Sequence, residues 1–161
     1  MAKKLTVNKI KRLPTRVKAY FSPYEPIAFL HIHKTAGSWL KYNLKSHYLP
    51  QKIYKDFDHE KIVGKTNEIA SKYDFMAAHV GYKLCAETNR PIITIMREPT
   101  ERMYSLYHYW RSVTRDRTTH ILAKQLDFQD WLESTDELVK CSTHNLQTYQ
   151  IAYGFMPEER D

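Results

Sequence analysis

Glycine is scarce in this chain, with four residues in 161, and no internal repeat or low-complexity tract compensates, so flexible linkers between units are not expected. Cysteine is scarcer still. Cys85 and Cys141 stand alone without the spacing of a disulfide framework, which excludes a stapled secreted scaffold and fits buried thiols in a reducing compartment; a single bridge between the two is the alternative. A run of about 18 apolar residues, the length a membrane span needs, is also missing, and the basic start is not followed by the apolar stretch of a signal peptide. A soluble protein is the resulting expectation. Acidic residues are missing from the first 24 positions. Seven bases (Lys3, Lys4, Lys9, Lys11, Arg12, Arg16 and Lys18) precede the first acid, Glu25, and the other 18 bases are matched by 18 acids, so the net charge of +7 belongs to an N-terminal arm.

What is present fits one domain. At 161 residues and 42% hydrophobic the chain can bury a core but not two comfortable ones, which divides it into a basic arm, residues 1–24, and a domain, residues 25–161. The arm could lie against an anionic polymer, a membrane surface or nucleic acid, or be a solvated lead-in. Val7, Ile10, Val17 and Phe21 could share a helical face, but Pro14 interrupts it.

Within the domain, Ile27 to His33 reads as a buried strand and Ser38 to His47 as the following helix, ended by Pro50. Asp56 to Ser71 is polar and partly helical, leading into the apolar segment Phe75 to Val80. Ile92 to Met96, β-branched and almost continuously apolar, reads as a strand covered on both faces. Pro99 opens a helix through about Trp110, with Glu98 and Glu101 at its positive end. Further helices are expected over Phe128 to Glu133 and Asn145 to Tyr153. Strands alternating with helices predict an α/β domain with a central, mainly parallel sheet flanked by helices.

Two strand-to-helix turns carry chemistry. In HIHKTAGSWL, residues 31–40, Lys34 supplies a positive charge, Thr35 and Ser38 hydroxyls, and Gly37 room for close backbone approach; N–H groups at such a helix start favour phosphate or sulfate. The lysine precedes the glycine, unlike the standard nucleotide-triphosphatase loop. Gly64, Lys65 and Thr66 do spell the end of that loop, but no strand precedes them and a polar helix is their expected home. In TIMREPTERMYSLYHYW, residues 94–110, Arg97 falls at the carboxyl end of a strand, where open parallel sheets place ligands, and Ser105 lies about two turns on; an arginine fork and a hydroxyl suit a second phosphate. The simpler reading pairs Arg97 with Glu98 or Glu101.

Together the two stretches resemble the 3′-phosphoadenosine 5′-phosphosulfate-dependent sulfotransferases, in particular the heparan sulfate 2-O- and 6-O-sulfotransferases. HIHKTAGSWL is similar to the family's 5′-phosphosulfate loop and TIMREPTERMYSLYHY to its 3′-phosphate segment; AAHVGY, residues 77–82, and NLQTYQIAYG, residues 145–154, resemble its Gly-His-Val and asparagine-glutamine elements. The resemblance implies a P-loop-like three-layer fold, 3′-phosphoadenosine 5′-phosphosulfate as donor, 3′,5′-bisphosphoadenosine as product, and a hydroxyl acceptor on a polysaccharide or other glycan, with no nucleic-acid partner. It implies that Lys34 and His79 are catalytic, with His108 in reserve as base, and that Lys34, Thr35, Ala36, Gly37, Ser38, Trp39, Arg97 and Ser105 bind the donor. It also implies a chain continuing past the asparagine-glutamine element, so that residues 25–161 read as a C-terminally incomplete domain. A bacterial cytoplasm is the favoured location, or the Golgi lumen for a piece of a eukaryotic protein. A non-catalytic nucleotide-binding module is the main alternative, ahead of a P-loop kinase or nucleotide hydrolase.

This sequence departs from the family at three points of the first loop. His33 stands in place of proline, Ala36 in place of the first glycine, and Trp39 in place of a smaller residue, one that would stack on the nucleotide, line the acceptor cleft or sit in the core. Alanine is disfavoured if its position needs a positive φ and costs nothing if the position is helical. His31 and His33 form a His-x-His pair on one strand face, without an evident third ligand for a metal.

Overall fold

A computed structural model of the protein describes residues 24–56, 59–115 and 117–152. The basic arm, except Tyr24, and the end of the asparagine-glutamine element lie outside the described residues.

Ile27–Leu30 (β1) is a continuous apolar run, and it becomes the middle strand of a three-stranded parallel sheet, between Phe75–Ala78 (β2) and Ile92–Thr94 (β3) in the order β2-β1-β3. Phe29 registers with Ala77 on one side and Ile93 on the other. The period-two alternation of side chains then divides the core. Ala28, Leu30 and Ile32 point to one face and pack with Ile62, Ile69, Met76, Ala78, Val80 and Cys85. Phe29 points to the other, with Tyr48, Phe75 and Ala77, against Leu40 and Leu44 of the helix Gly37–Lys45 (α1). Burial on both faces is what lets β1 and β2 read as unbroken apolar runs.

The strand with the clearest β signal in the sequence behaves differently. β3 is an edge strand, half-buried at all three positions, rather than covered on both faces. Hydrophobic content registers how much a strand could bury, whereas strand order is decided by which partners the crossovers bring alongside.

The Asp56 to Ser71 region forms His59–Ile62 (α2) and Thr66–Lys72 (α3), and Gly64, at φ 72, turns the chain between them. The Gly-Lys-Thr sequence is therefore a helix-to-helix turn, and the Thr66 hydroxyl donates to Glu87 Oε2 at 2.6 Å. Tyr82–Ala86 (α4) follows β2. Beyond β3 come Pro99–Ser112 (α5), Thr118–Gln125 (α6), Phe128–Leu132 (α7), Glu137–Thr143 (α8) and Leu146–Ala152 (α9). α4, α6 and α8 were not expected from the sequence; each is too short to show a helical period, although Asp136 caps α8 by accepting from Val139 N–H at 3.0 Å.

Helices α5 to α8 enclose a second core of Leu106, Tyr107, Ala123, Trp131 and Val139. Arg102 joins it to the end of α8. Its side chain, 2% exposed, donates from Nη2 to the Ser142 carbonyl at 2.9 Å. Cys85 and Cys141 are both buried, and no disulfide joins them. Among the described residues no helix is long and apolar enough to cross a membrane.

Candidate functional site

The chain leaves the carboxyl end of β1 through His31, Ile32 and His33, then makes a turn with two left-handed residues, Lys34 at φ 66 and Ala36 at φ 65. Thr35, between them, is 2% exposed and donates its hydroxyl to the Ile32 carbonyl at 3.0 Å. Its side chain therefore closes the turn instead of facing a ligand. Ala36 is the N-cap of α1 and no side chain caps the helix, so the outward N–H groups of the first turn lie open beside Lys34 and the exposed Ser38. Gly37 is required here by close approach, because a β-carbon would fall on the His31 ring.

The helix after β3 is finished in the opposite way. Glu98 caps α5 with its own carboxylate, accepting from Thr100 N–H at 3.0 Å and Glu101 N–H at 2.7 Å, and these bonds hold its carboxyl below the usual range. The positive end of α5 is thus already satisfied. Just before it, the Gln147 amide grips Arg97 twice, accepting from its N–H at 2.9 Å and donating to its carbonyl at 2.8 Å. The Arg97 side chain donates from Nε to Glu101 at 3.2 Å, the pairing that the simpler sequence reading expected. Glu101, Ser105 and Tyr109 recur every fourth residue and so form one stripe along α5. The Lys34 ammonium lies 4.2 Å from the centroid of the Tyr109 ring. Burial, and then the Arg97 charge, hold the Lys34 amine below the usual lysine range. Arg97, from the second turn, is therefore close enough for its charge to act on Lys34, from the first.

Three histidines lie beyond the carboxyl ends of β1 and β2, next to this turn. His31 is 5% exposed and stacks on Phe29 with centroids 5.3 Å apart. His79, following β2, lies 4.4 Å from His31 and 3.7 Å from His33, the latter nearly parallel at 17°. His79 Nδ1 is 2.6 Å from the His31 carbonyl, and because a carbonyl only accepts, Nδ1 carries the proton and Nε2 keeps its lone pair. Burial, then the neighbouring His79, lowers both His31 and His33 to about 3. His79 is also lowered by burial, partly opposed by its bond to the His31 carbonyl. All three are neutral near pH 7. Stacked rings do not converge their nitrogens on one point, and among the described residues no group of three metal-binding side chains exists.

The structure thus brings Lys34 to Arg97, and His79 to the His-x-His pair. Trp39 is 68% exposed on α1 and is not core. His108 is exposed and meets Tyr104 edge-on at 4.3 Å. Sequence reasoning missed three participants: Tyr109, the Gln147 grip and the contact between His33 and His79. The four-residue recurrence from Glu101 to Tyr109 was the available signal for the first; the other two arise from contacts between segments more than 45 residues apart. Comparison of the chain with models of known protein families, with characterised proteins and with solved structures gives no match.

Proposed function

We propose that the protein transfers a sulfuryl group from 3′-phosphoadenosine 5′-phosphosulfate to an acceptor hydroxyl on a carbohydrate, using a P-loop-like α/β domain. The observation that carries this reading is the contrast between the two helix starts: α5 is closed by Glu98, while α1 is left without a side-chain cap beside Lys34 and within the field of Arg97. Open N–H donors next to two cations suit a ligand with two anionic groups. The Glu101 pairing does not oppose this, because a half-exposed i,i+4 pair is worth only about 0.3–0.5 kcal/mol and a phosphate dianion can displace it.

Bound here, the donor supplies the sulfuryl group and a 5′-phosphate as leaving group. The Lys34 ammonium and the N–H groups from Thr35 to Ser38 hold the negative charge that grows on the departing bridging oxygen, a kind of stabilisation worth about 3–4 kcal/mol for one well-placed donor. Arg97 and Ser105 hold the 3′-phosphate. His79 accepts the acceptor hydroxyl's proton at Nε2 as the oxygen attacks sulfur; its Nδ1–H bond to the His31 carbonyl fixes the required tautomer and steadies the imidazolium that results. Two buried cysteines that no disulfide joins fit work in a reducing cytoplasm.

A thermal-shift comparison tests the reading. 3′,5′-Bisphosphoadenosine should stabilise the protein well beyond AMP or ATP. An equal response to all three, or a magnesium-dependent response to ATP alone, would point to a different nucleotide chemistry.

A further inference from the structure

Lys34 is held in an unusual way. It is half-buried, its backbone is left-handed, and the Arg97 charge repels it, yet no ion pair with a carboxylate holds it among the described residues. A lysine is a strongly hydrated charge on a flexible stem, so this combination should drive the ammonium out to water. Instead it rests on the face of Tyr109.

We propose that Tyr109 is a positioning residue that holds the Lys34 ammonium ready for an incoming anion. An aromatic face does something a carboxylate cannot. It attracts the cation through its quadrupole without taking a proton, without neutralising the charge and without using up directed N–H donors. A carboxylate in its place would compete with a phosphate or sulfate for the same three donors. The left-handed backbone at Lys34 sets the direction in which its β-carbon leaves the turn, and the α5 stripe places the ring where the ammonium arrives. The same stripe carries Ser105 and Glu101, so one helix face both orders Lys34 and reaches Arg97. The inference rests on the anion-binding role of Lys34 proposed above, but the contact itself can be tested without any turnover.

The test uses the full chain with its lysines reductively methylated by 13C-formaldehyde, which keeps the positive charge; Lys34→Arg assigns the Lys34 resonance. Its methyl signal should be shifted upfield by the ring in the wild type and in Tyr109→Phe, and should return to the ordinary lysine position in Tyr109→Leu. In unmethylated protein, 3′,5′-bisphosphoadenosine should bind roughly tenfold more weakly to Tyr109→Leu, while Tyr109→Phe keeps its affinity. Absence of the upfield shift in the wild type overturns the proposal, as does equal loss of affinity in both variants. If the wild type ignores bisphosphoadenosine but inorganic phosphate moves the Lys34 signal in a ring-dependent way, the positioning role stands and the sulfuryl-transfer reading fails. A Lys34 signal unmoved by either anion overturns the positioning role itself.

Discussion

Ala36→Gly should make the protein more stable, although glycine ordinarily loses more conformational freedom on folding than alanine. Ala36 sits at φ 65 and ψ 13, in the left-handed region where a β-carbon crowds the following carbonyl at a cost of about 1–2 kcal/mol. Removing that carbon relieves the crowding, and Ala36 is exposed, so no packing is lost with it. Glycine also loosens the unfolded chain, which takes back about 0.4–1 kcal/mol. The net gain lies between about 0 and about 1.6 kcal/mol, centred at about 0.8 kcal/mol, or roughly 2–3 °C in Tm for a chain of this size. Urea denaturation should show a higher midpoint with an unchanged slope. Gly37→Ala is the opposing control: its β-carbon meets the His31 ring, and overpacking of this kind costs about 1–3 kcal/mol. A midpoint lowered by Ala36→Gly at constant slope would refute the reasoning, because it would mean that the alanine side chain contributes more than its left-handed backbone costs.

Arg97→Ala should weaken binding of 3′,5′-bisphosphoadenosine much more than that of AMP, measured by calorimetry; equal losses would remove Arg97 from the 3′-phosphate. His31 and His33 are held neutral down to about 3, against an ordinary value of 6.5, so the unfolded chain binds more protons between those limits. Stability should be complete above pH 6.5 and fall progressively toward pH 3, and His33→Phe should flatten that slope in urea titrations at successive pH values. Burial pushes the Cys85 thiol up to about 12, so maleimide should leave it unmodified in the native protein and label it only on unfolding, as read by mass spectrometry.

Some of this was legible in the sequence because the signals were local. The apolar runs marked β1 and β2, Pro99 behind Glu98 marked the start of α5, and the lysine-to-serine turn between strand and helix marked the open end of α1. Other features needed the third dimension. The edge position of β3 depends on strand order, and the inward turn of Thr35 depends on which hydroxyl the Ile32 carbonyl recruits. Whether alanine could stand in for glycine at position 36 turned on a single dihedral angle. The answer is that Ala36 adopts the left-handed conformation, at φ 65, that ordinarily favours glycine. His33 was visible as half of a His-x-His pair, but its stacking on His79 joins two strand ends that the sequence places 46 positions apart.

The Gln147 amide offers the Arg97 peptide one donor and one acceptor, the same pair that an adjoining strand would present. It acts as a single borrowed rung added to the sheet after β3 has ended. The aim of Arg97 is therefore set by a residue fifty positions downstream, across the whole helical half of the chain. A version of the protein cut before Gln147 would lose that rung, leaving the Arg97 N–H and carbonyl without the partners that fix them.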